Sequence, residues 1–224
     1  QTLTVNAYVA PSSSGGRGYT PPTYDVVVSS NKNSIKATAT VANSSATITI
    51  NESKLNTLLN DGDTTGSVSI NAGLGKSIET ALLPATVIDK IAAAANDSKK
   101  NITGLTVTLD SGTVELDKAA LAAVCEQGSG STIAIRVEEI TTAALNSTQR
   151  ASMAGEHAND LIVEVTVTSG GRAITDYDGG KITVTVPYEL KEGEQAAGVC
   201  VWHLDRDGKL EVVECRYDAA AKTV

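Results

Sequence analysis

The chain is poor in large side chains. Its 224 residues include no Phe, one Met, one Trp and two His, and aromatic residues make up 3% of the sequence. Thr, Ser, Val, Ala and Gly are abundant, so the core must be built mainly from small and β-branched side chains, which favour strands. This composition predicts a β-rich fold, and the length suits one large domain or two small ones.

Basic runs and long apolar runs are also absent. The net charge is −8, which argues against nucleic acid and against an anionic membrane surface as partners, because both attract basic faces. No apolar stretch approaches the roughly 18 residues that a membrane-spanning helix needs. Gln1 leads directly into a polar strand pattern without a signal peptide, an absence that leaves the compartment open.

No residue pattern indicates catalysis, a cofactor or a metal site. Gly73–Ser77 (GLGKS) looks like the end of a phosphate-binding loop, but Ile70 stands where the first glycine is required, and a strand pattern follows. His157 and His203 have no Gly-x-Ser-x-Gly serine to activate. A hairpin turn explains Asp205–Gly208 better than a calcium loop does. We therefore expect a protein that is not an enzyme.

Three cysteines leave at least one unpaired. Asp207-Gly208 predicts a two-residue hairpin turn that places Cys200 directly opposite Cys215. A disulfide can form there in an oxidising compartment, although a hydrogen-bonded strand pair is a less usual site for one, and two free thiols remain the alternative. Cys125 lies in the apolar stripe of a short helix, which predicts a buried small hydrophobic residue.

Strand and helix patterns alternate over residues 23–157. A strand that ends at an Asn or Asp N-cap and leads into a short helix occurs twice, at Thr47–Leu59 and at Thr113–Cys125, which indicates a repeated strand–helix–strand unit. Pro84 is predicted to open a further helix over Ala85–Ala95, and another helix is predicted at about Ala143–Met153.

Residues 158–224 are predicted to form an antiparallel β region. The pattern ends with a turn at Asp218–Lys222 and then Thr223–Val224, two residues into what should be another strand. A sheet that lacks its last strand exposes main-chain N–H and C=O groups along one edge. The predicted fold class is mainly β, a β-rich α+β fold with β-sandwich-like sheets and short helices, whose last strand is missing.

A candidate for the missing strand lies at the other terminus. Thr2–Ala10 alternates apolar with polar residues, the pattern of a strand with one buried face. The residues from 11 to 22 (PSSSGGRGYTPP) have linker composition and span at most about 40 Å, so the strand can reach its own body or a neighbour. The predicted parts are a donor strand (1–10), a linker (11–22), a β-rich α+β region (23–157) and an antiparallel region (158–224). The apolar face of the donor strand consists of Leu3, Val5, Ala7 and Val9.

The C-terminal third also carries a set of motifs that occur together elsewhere. These are Gly179–Tyr188 (GGKITVTVPY), Gly193-Glu194, Val199–Leu204, Asp207–Lys209 and Arg216–Asp218. Together they resemble a module common in large cell-surface proteins of Gram-positive bacteria, which often carry S-layer homology domains. The resemblance implies an extracellular, wall-associated, non-catalytic β-rich module. Such modules typically continue from the Tyr-Asp turn into one more strand near a His-Phe-Ser triplet, which this chain lacks.

Two functions follow as hypotheses. The first is an extracellular structural protein, a subunit of a cell-surface filament or pilus in which residues 2–10 complete the sheet of the next copy, so that the partner is the protein itself in a head-to-tail homopolymer. The alternative is a monomeric stalk or adhesion module of a larger cell-wall-associated protein, with cell-wall or host-surface ligands as partners.

Overall fold

A computed structural model describes residues 21–224 and is mainly β with short helices, as predicted. The predicted donor-strand residues Leu3, Val5, Ala7 and Val9 and most of the linker lie outside the described residues. The strands are β1 (Thr23–Ser29), β2 (Ser34–Ala42), β3 (Ser45–Thr49), β4 (Thr65–Asn71), β5 (Thr80–Pro84), β6 (Asn101–Thr108), β7 (Thr113–Asp117), β8 (Thr132–Ile140), β9 (Ile162–Ser169), β10 (Arg172–Ala173), β11 (Ile182–Thr185), β12 (Val201–Leu204) and β13 (Leu210–Val213). The helices are α1 (Glu52–Asn60), α2 (Ala85–Asn96), α3 (Lys118–Gln127) and α4 (Ser147–Ser152).

Eleven of these strands form one curled sheet in the order β10-β9-β8-β5-β3-β2-β1-β4-β6-β7-β11. The strands β12 and β13 form a separate two-stranded sheet. The sandwich-like pair of sheets expected from the sequence is therefore replaced by a single large sheet and a small hairpin. The strands of the C-terminal region are divided among these sheets: β9 and β10 extend one end of the large sheet, and β11 forms its other end.

Helical crossovers explain why one sheet forms. The helix α1 leads from β3 to β4, α2 from β5 to β6 and α3 from β7 to β8. In each case the two strands lie on opposite sides of the central β1–β2 hairpin. Each crossover therefore carries the chain from one half of the sheet to the other. The predicted strand–helix–strand unit occurs three times, since β5–α2–β6 is a third copy beside the two predicted.

The helix starts follow the predicted capping chemistry at two places. Asn51 Oδ1 accepts a hydrogen bond from the Lys54 N–H (3.1 Å), and Asp117 Oδ1 accepts one from the Ala120 N–H (2.7 Å). The helix α2 begins at Ala85, as predicted, but Pro84 ends β5 and occupies the N-cap position instead of the first turn of the helix.

The helix predicted at about Ala143–Met153 is interrupted. A 3-10 turn covers Thr142–Ala144, and α4 starts only after Asn146, whose side chain accepts hydrogen bonds from the N–H groups of Thr148 and Gln149. The side-chain oxygen of Gln149 accepts a hydrogen bond from the backbone N–H of Asn146, which completes a capping box. The cap therefore starts a new helix inside the predicted one.

The core lies between the three crossover helices and one face of the curled sheet. Its largest fully buried side chains are aliphatic and include Ile48, Leu55, Ile91, Leu105 and Leu121. The strands of the hairpin β12–β13 contribute no buried residue. Within residues 21–224, no helix combines the length and apolar character that crossing a bilayer would require.

Candidate strand-docking site

The strand β11 lies at the end of the large sheet and has one open side. It pairs antiparallel with β7, from Ile182 opposite Leu116 to Thr185 opposite Thr113. The N–H of Asp117, the last residue of β7, donates to the carbonyl of Lys181, which directly precedes β11 (3.1 Å). In β11, the odd-numbered residues therefore turn their main-chain groups toward β7. Since these groups alternate in an antiparallel pair, those of Ile182 and Val184 point away from β7. No described residue pairs with them there.

The continuation of β11 is occupied on that same side. The N–H of Val186 donates to the Val224 carbonyl (2.8 Å), and the Val224 N–H donates back to Val186 (3.0 Å). The Tyr188 N–H donates to the Lys222 carbonyl (2.8 Å). Lys222–Val224 therefore runs antiparallel to Val186–Tyr188. We call the outer side of Ile182–Tyr188 the β11 lane.

A turn holds this terminal segment in place. The backbones of Asp218 and Thr223 exchange two hydrogen bonds (2.8 and 3.2 Å), and Asp218 Oδ1 accepts from the N–H groups of Ala220 and Ala221. These two N–H bonds lower the pKa of the Asp218 carboxyl group. Lys222 Nζ lies 2.8 Å from Glu189 Oε1, and both side chains are exposed, so this ion pair adds little stability.

Burial varies along the β11 lane, and Thr185 is partly buried like its two neighbours. Ile182 and Val186 are partly buried and pack against the core, Val184 is half-buried, and Thr183 is exposed. No charged residue occurs from Ile182 to Tyr188. The lane therefore has apolar side chains on the inner face of the sheet, polar side chains on the opposite face, and free main-chain groups along its edge.

The strand β9 forms a second open edge, at the opposite end of the sheet. The Ile174 N–H donates to the Val167 carbonyl (2.9 Å), so odd-numbered residues of β9 point their main-chain groups away from β8. Beyond the short pairing with β10, no residue within 21–224 pairs with Val163 and Val165 on that side. Glu164 is exposed in the middle of this edge.

The curl brings β8 close to the β11 end of the sheet. A Cβ atom built on Gly112 would lie 3.2 Å from Val186 Cγ1 and 3.3 Å from Val137 Cγ1, although Val137 lies on β8 and Val186 follows β11. Ser111 Oγ also donates to the Val137 carbonyl (2.6 Å). The turn between β6 and β7 therefore lies between β8 and the residue that follows β11, Val186.

The hairpin β12–β13 corrects the predicted strand register around Cys200 and Cys215. Val201 lies opposite Val213 and Leu204 opposite Leu210, one residue out of the predicted register. The cause is a three-residue loop in which Gly208 adopts a φ of 81° and Asp205 Oδ1 accepts from the N–H groups of Asp207 and Lys209.

In this register Cys200 and Cys215 are no longer opposite each other. Continuing the pairing places Cys215 beside Val199, whose carbonyl lies 3.7 Å from the Cys215 sulfur. Both thiols are free and exposed.

The tip of the hairpin docks on α4. Asn146 Nδ2 and Gln149 Nε2 donate to the carbonyls of Arg206 and Asp205 (both 3.0 Å), and Ser152 Oγ donates to the Gly208 carbonyl (2.5 Å). His157 contacts the Trp202 ring edge to face, at 5.6 Å between ring centroids, and bonds Asp160 through Nδ1 (2.8 Å). His203 is exposed on β12. Trp202, Val212 and Val213 are also exposed.

Gly73–Ser77 form a loop held by Asp110, and the next element is the strand β5 and not a helix, as the strand pattern predicts. The Asp110 carboxylate accepts from the N–H groups of Gly75 (2.9 Å), Lys76 (2.8 Å) and Ile78 (2.8 Å). Burial by itself raises the pKa of Asp110, but these hydrogen bonds outweigh it and the net shift is downward. The anion in this loop is the protein's own carboxylate.

In the part of the chain that the structure describes, no three His, Cys, Asp or Glu side chains are placed to share a metal ion. No protein-family model, curated protein or solved structure matches the chain. The open sheet edges are therefore the structural features from which a function can be inferred, and the resemblance to Gram-positive surface modules stays a prediction. The sequence pattern predicted that Thr223–Val224 begins a strand, but it did not indicate that β11 and β9 would be the open edges.

Proposed function

We propose that this protein is an extracellular structural subunit that forms a cell-surface filament by donor-strand complementation. In this proposal, Thr2–Ala10 of one copy pairs with an open sheet edge of the next copy. The observation that supports it is the run of free main-chain groups at the end of an otherwise continuous eleven-stranded sheet. Strand addition is an established use of such an edge.

The chemistry of the donor segment suits an edge of this kind. Leu3, Val5, Ala7 and Val9 form an apolar row that can extend the inner face of the sheet, while the residues between them are polar and can face water. Burying a Leu or Val side chain is worth about 1.5–3 kcal/mol, and each main-chain hydrogen bond adds about 0.5–1.5 kcal/mol. A head-to-tail contact that does not close into a ring propagates as a fibre, so one interface is sufficient.

The alternative is a monomeric stalk or adhesion module, in which the same strand pairs with its own body. The strand β1, which follows the linker, is four strand spacings from β11, or about 19 Å along the sheet. The linker spans up to about 40 Å, so docking within one copy is within reach. The oligomeric state distinguishes the two functions.

The experiment compares the full-length chain with a variant that lacks residues 1–10, by light scattering and negative-stain electron microscopy. We expect fibres from the full-length chain and monomers from the deletion. The double substitution Leu3→Asp and Val5→Asp should also abolish fibres, because it charges the apolar row, whereas the matched control Thr4→Asp and Asn6→Asp changes the polar row and should retain them. A monomeric full-length chain, or fibres that persist without residues 1–10, would exclude the proposal.

A further inference from the structure

The two open edges differ in how they are protected. Proteins commonly prevent edge-to-edge association with charged side chains on the edge strand. The β9 edge carries Glu164 at its centre and is partly covered by β10. The β11 lane has no charge between Lys181 and Glu189. The donor segment, from Thr2 to Ala10, is also uncharged.

The β11 lane also accepts a strand already. Lys222–Val224 pairs with its far half through regular antiparallel hydrogen bonds, so that half already accepts an added strand. Its near half, Ile182–Thr185, is free and gives room for only about 13 Å of strand. The whole lane, from Ile182 to Tyr188, is about 23 Å long and can pair with about seven of the nine residues 2–10, whose extended length is about 30 Å.

From these observations we infer that residues 2–10 of a second copy dock on the β11 lane and displace Lys222–Val224 from it. This inference rests on the proposed donor-strand function. The donor's apolar row then continues the inner row of Ile182, Val184 and Val186, and its polar row lies beside Thr183. The displaced segment is held on the lane by three main-chain hydrogen bonds and one exposed ion pair, and its own turn adds two backbone hydrogen bonds between Asp218 and Thr223. The longer donor replaces those three bonds and adds bonds to Ile182 and Val184.

Proline substitution tests the lane without disturbing the paired side of the strand. The N–H of Val184 points away from β7, so Val184→Pro removes a hydrogen-bond donor that the added strand would use and leaves the hydrogen bonds to β7 in place. Val165→Pro is the matched control, because its N–H points to the open side of β9 in the same way. Circular dichroism and thermal unfolding report whether each variant folds, and electron microscopy reports polymer.

We expect Val184→Pro to fold and remain monomeric and Val165→Pro to form fibres. Fibres from Val184→Pro together with monomers from Val165→Pro would overturn the β11 lane as the site but leave donor-strand assembly standing. Fibres from the chain without residues 1–10 would instead exclude the proposed function itself. The two failures are thus distinguishable.

Two further measurements keep the inference testable if Val184→Pro does not fold. Hydrogen exchange of the Ile182 and Val184 amides should slow by at least about tenfold in fibres relative to the monomer without residues 1–10, because donor pairing protects them. Unchanged exchange there would overturn the inference. Deleting Lys222–Val224 should leave fibre formation intact or accelerate it, and a folded deletion variant that no longer polymerises would contradict the displacement.

Discussion

At the scale of single residues, Asp110 joins two distant parts of the chain. Its carboxylate collects three backbone N–H groups from the Gly75–Ile78 segment, and hydrogen bonds to a charged group are stronger than neutral ones. Asp110→Asn should therefore lower the free energy of unfolding by about 2 kcal/mol, measured by urea denaturation. Asp176→Asn is the control, since Asp176 accepts only one such bond and should change stability by less than about 0.5 kcal/mol. Equal losses in the two variants would contradict this role.

The same carboxylate predicts a pH dependence. The folded-state pKa of Asp110 is lowered below its ordinary value of 3.8, so the folded protein stabilises the charged form. Its contribution is complete above the unfolded pKa and is lost as the pH falls through the folded pKa. The stability difference between the wild type and Asp110→Asn should stay constant from pH 7 to about 5 and shrink below about 4. A difference that grows in acid would contradict the assignment.

The cysteines should react at very different rates. Burial, followed by the neighbouring Asp89 carboxylate, raises the pKa of the Cys125 thiol to about 12, whereas Cys200 and Cys215 are exposed. Because the thiolate is the reactive form, two thiols should label quickly in the native protein and the third only slowly. Thiol titration with and without denaturant measures this. The absence of any fast thiol would indicate that the Cys200–Cys215 disulfide, one of the two alternatives that the sequence leaves open, forms despite the observed register.

At the scale of elements, the hairpin β12–β13 depends on its contact with α4. A Cβ atom on Gly208 would lie 2.9 Å from Ser152 Oγ and 3.0 Å from the Thr148 carbonyl oxygen, and the φ of Gly208 is 81°. Gly208→Ala should therefore release the hairpin tip and shift the fluorescence of the only tryptophan, Trp202. Gly193→Ala is the matched control, because Gly193 has a similar φ of 88° but no atom within 4 Å of an added Cβ.

If both glycine variants shift the Trp202 emission to the red by the same amount, backbone strain explains the shift and the docking contact is unimportant. A red shift confined to Gly208→Ala would support docking, since the strain of a positive φ is common to both variants.

The sequence predicted the elements well because their signals are local. Alternating apolar residues located the strands of the core, and Asn51 and Asp117 marked the starts of α1 and α3. Two local features were misread for equally local reasons. Asn146 caps a new helix inside the predicted one, and Asp205 organises a three-residue loop that moves the hairpin register by one residue.

At the scale of the whole molecule, strand order was not predictable. Which strands become neighbours depends on contacts between residues far apart in the sequence, and the pattern of each strand is the same whichever neighbour it has. The chain therefore gave no sign that β9 and β11 would lie at opposite ends of one sheet. One part of the candidate site was predictable, since Thr223–Val224 was predicted to begin a strand, but its partner Val186–Tyr188 was not predicted. The free main-chain groups of Ile182 and Val184 required the three-dimensional pairing.

Mixing two defective chains tests the central claim most directly. The chain without residues 1–10 keeps an intact β11 lane, and the Val184→Pro chain keeps an intact donor strand, so neither should polymerise alone. Light scattering of the equimolar mixture should detect a complex that contains one copy of each chain, because one supplies the donor and the other the acceptor. If the mixture contains only the two separate monomers, donor-strand docking between copies at the β11 lane is contradicted.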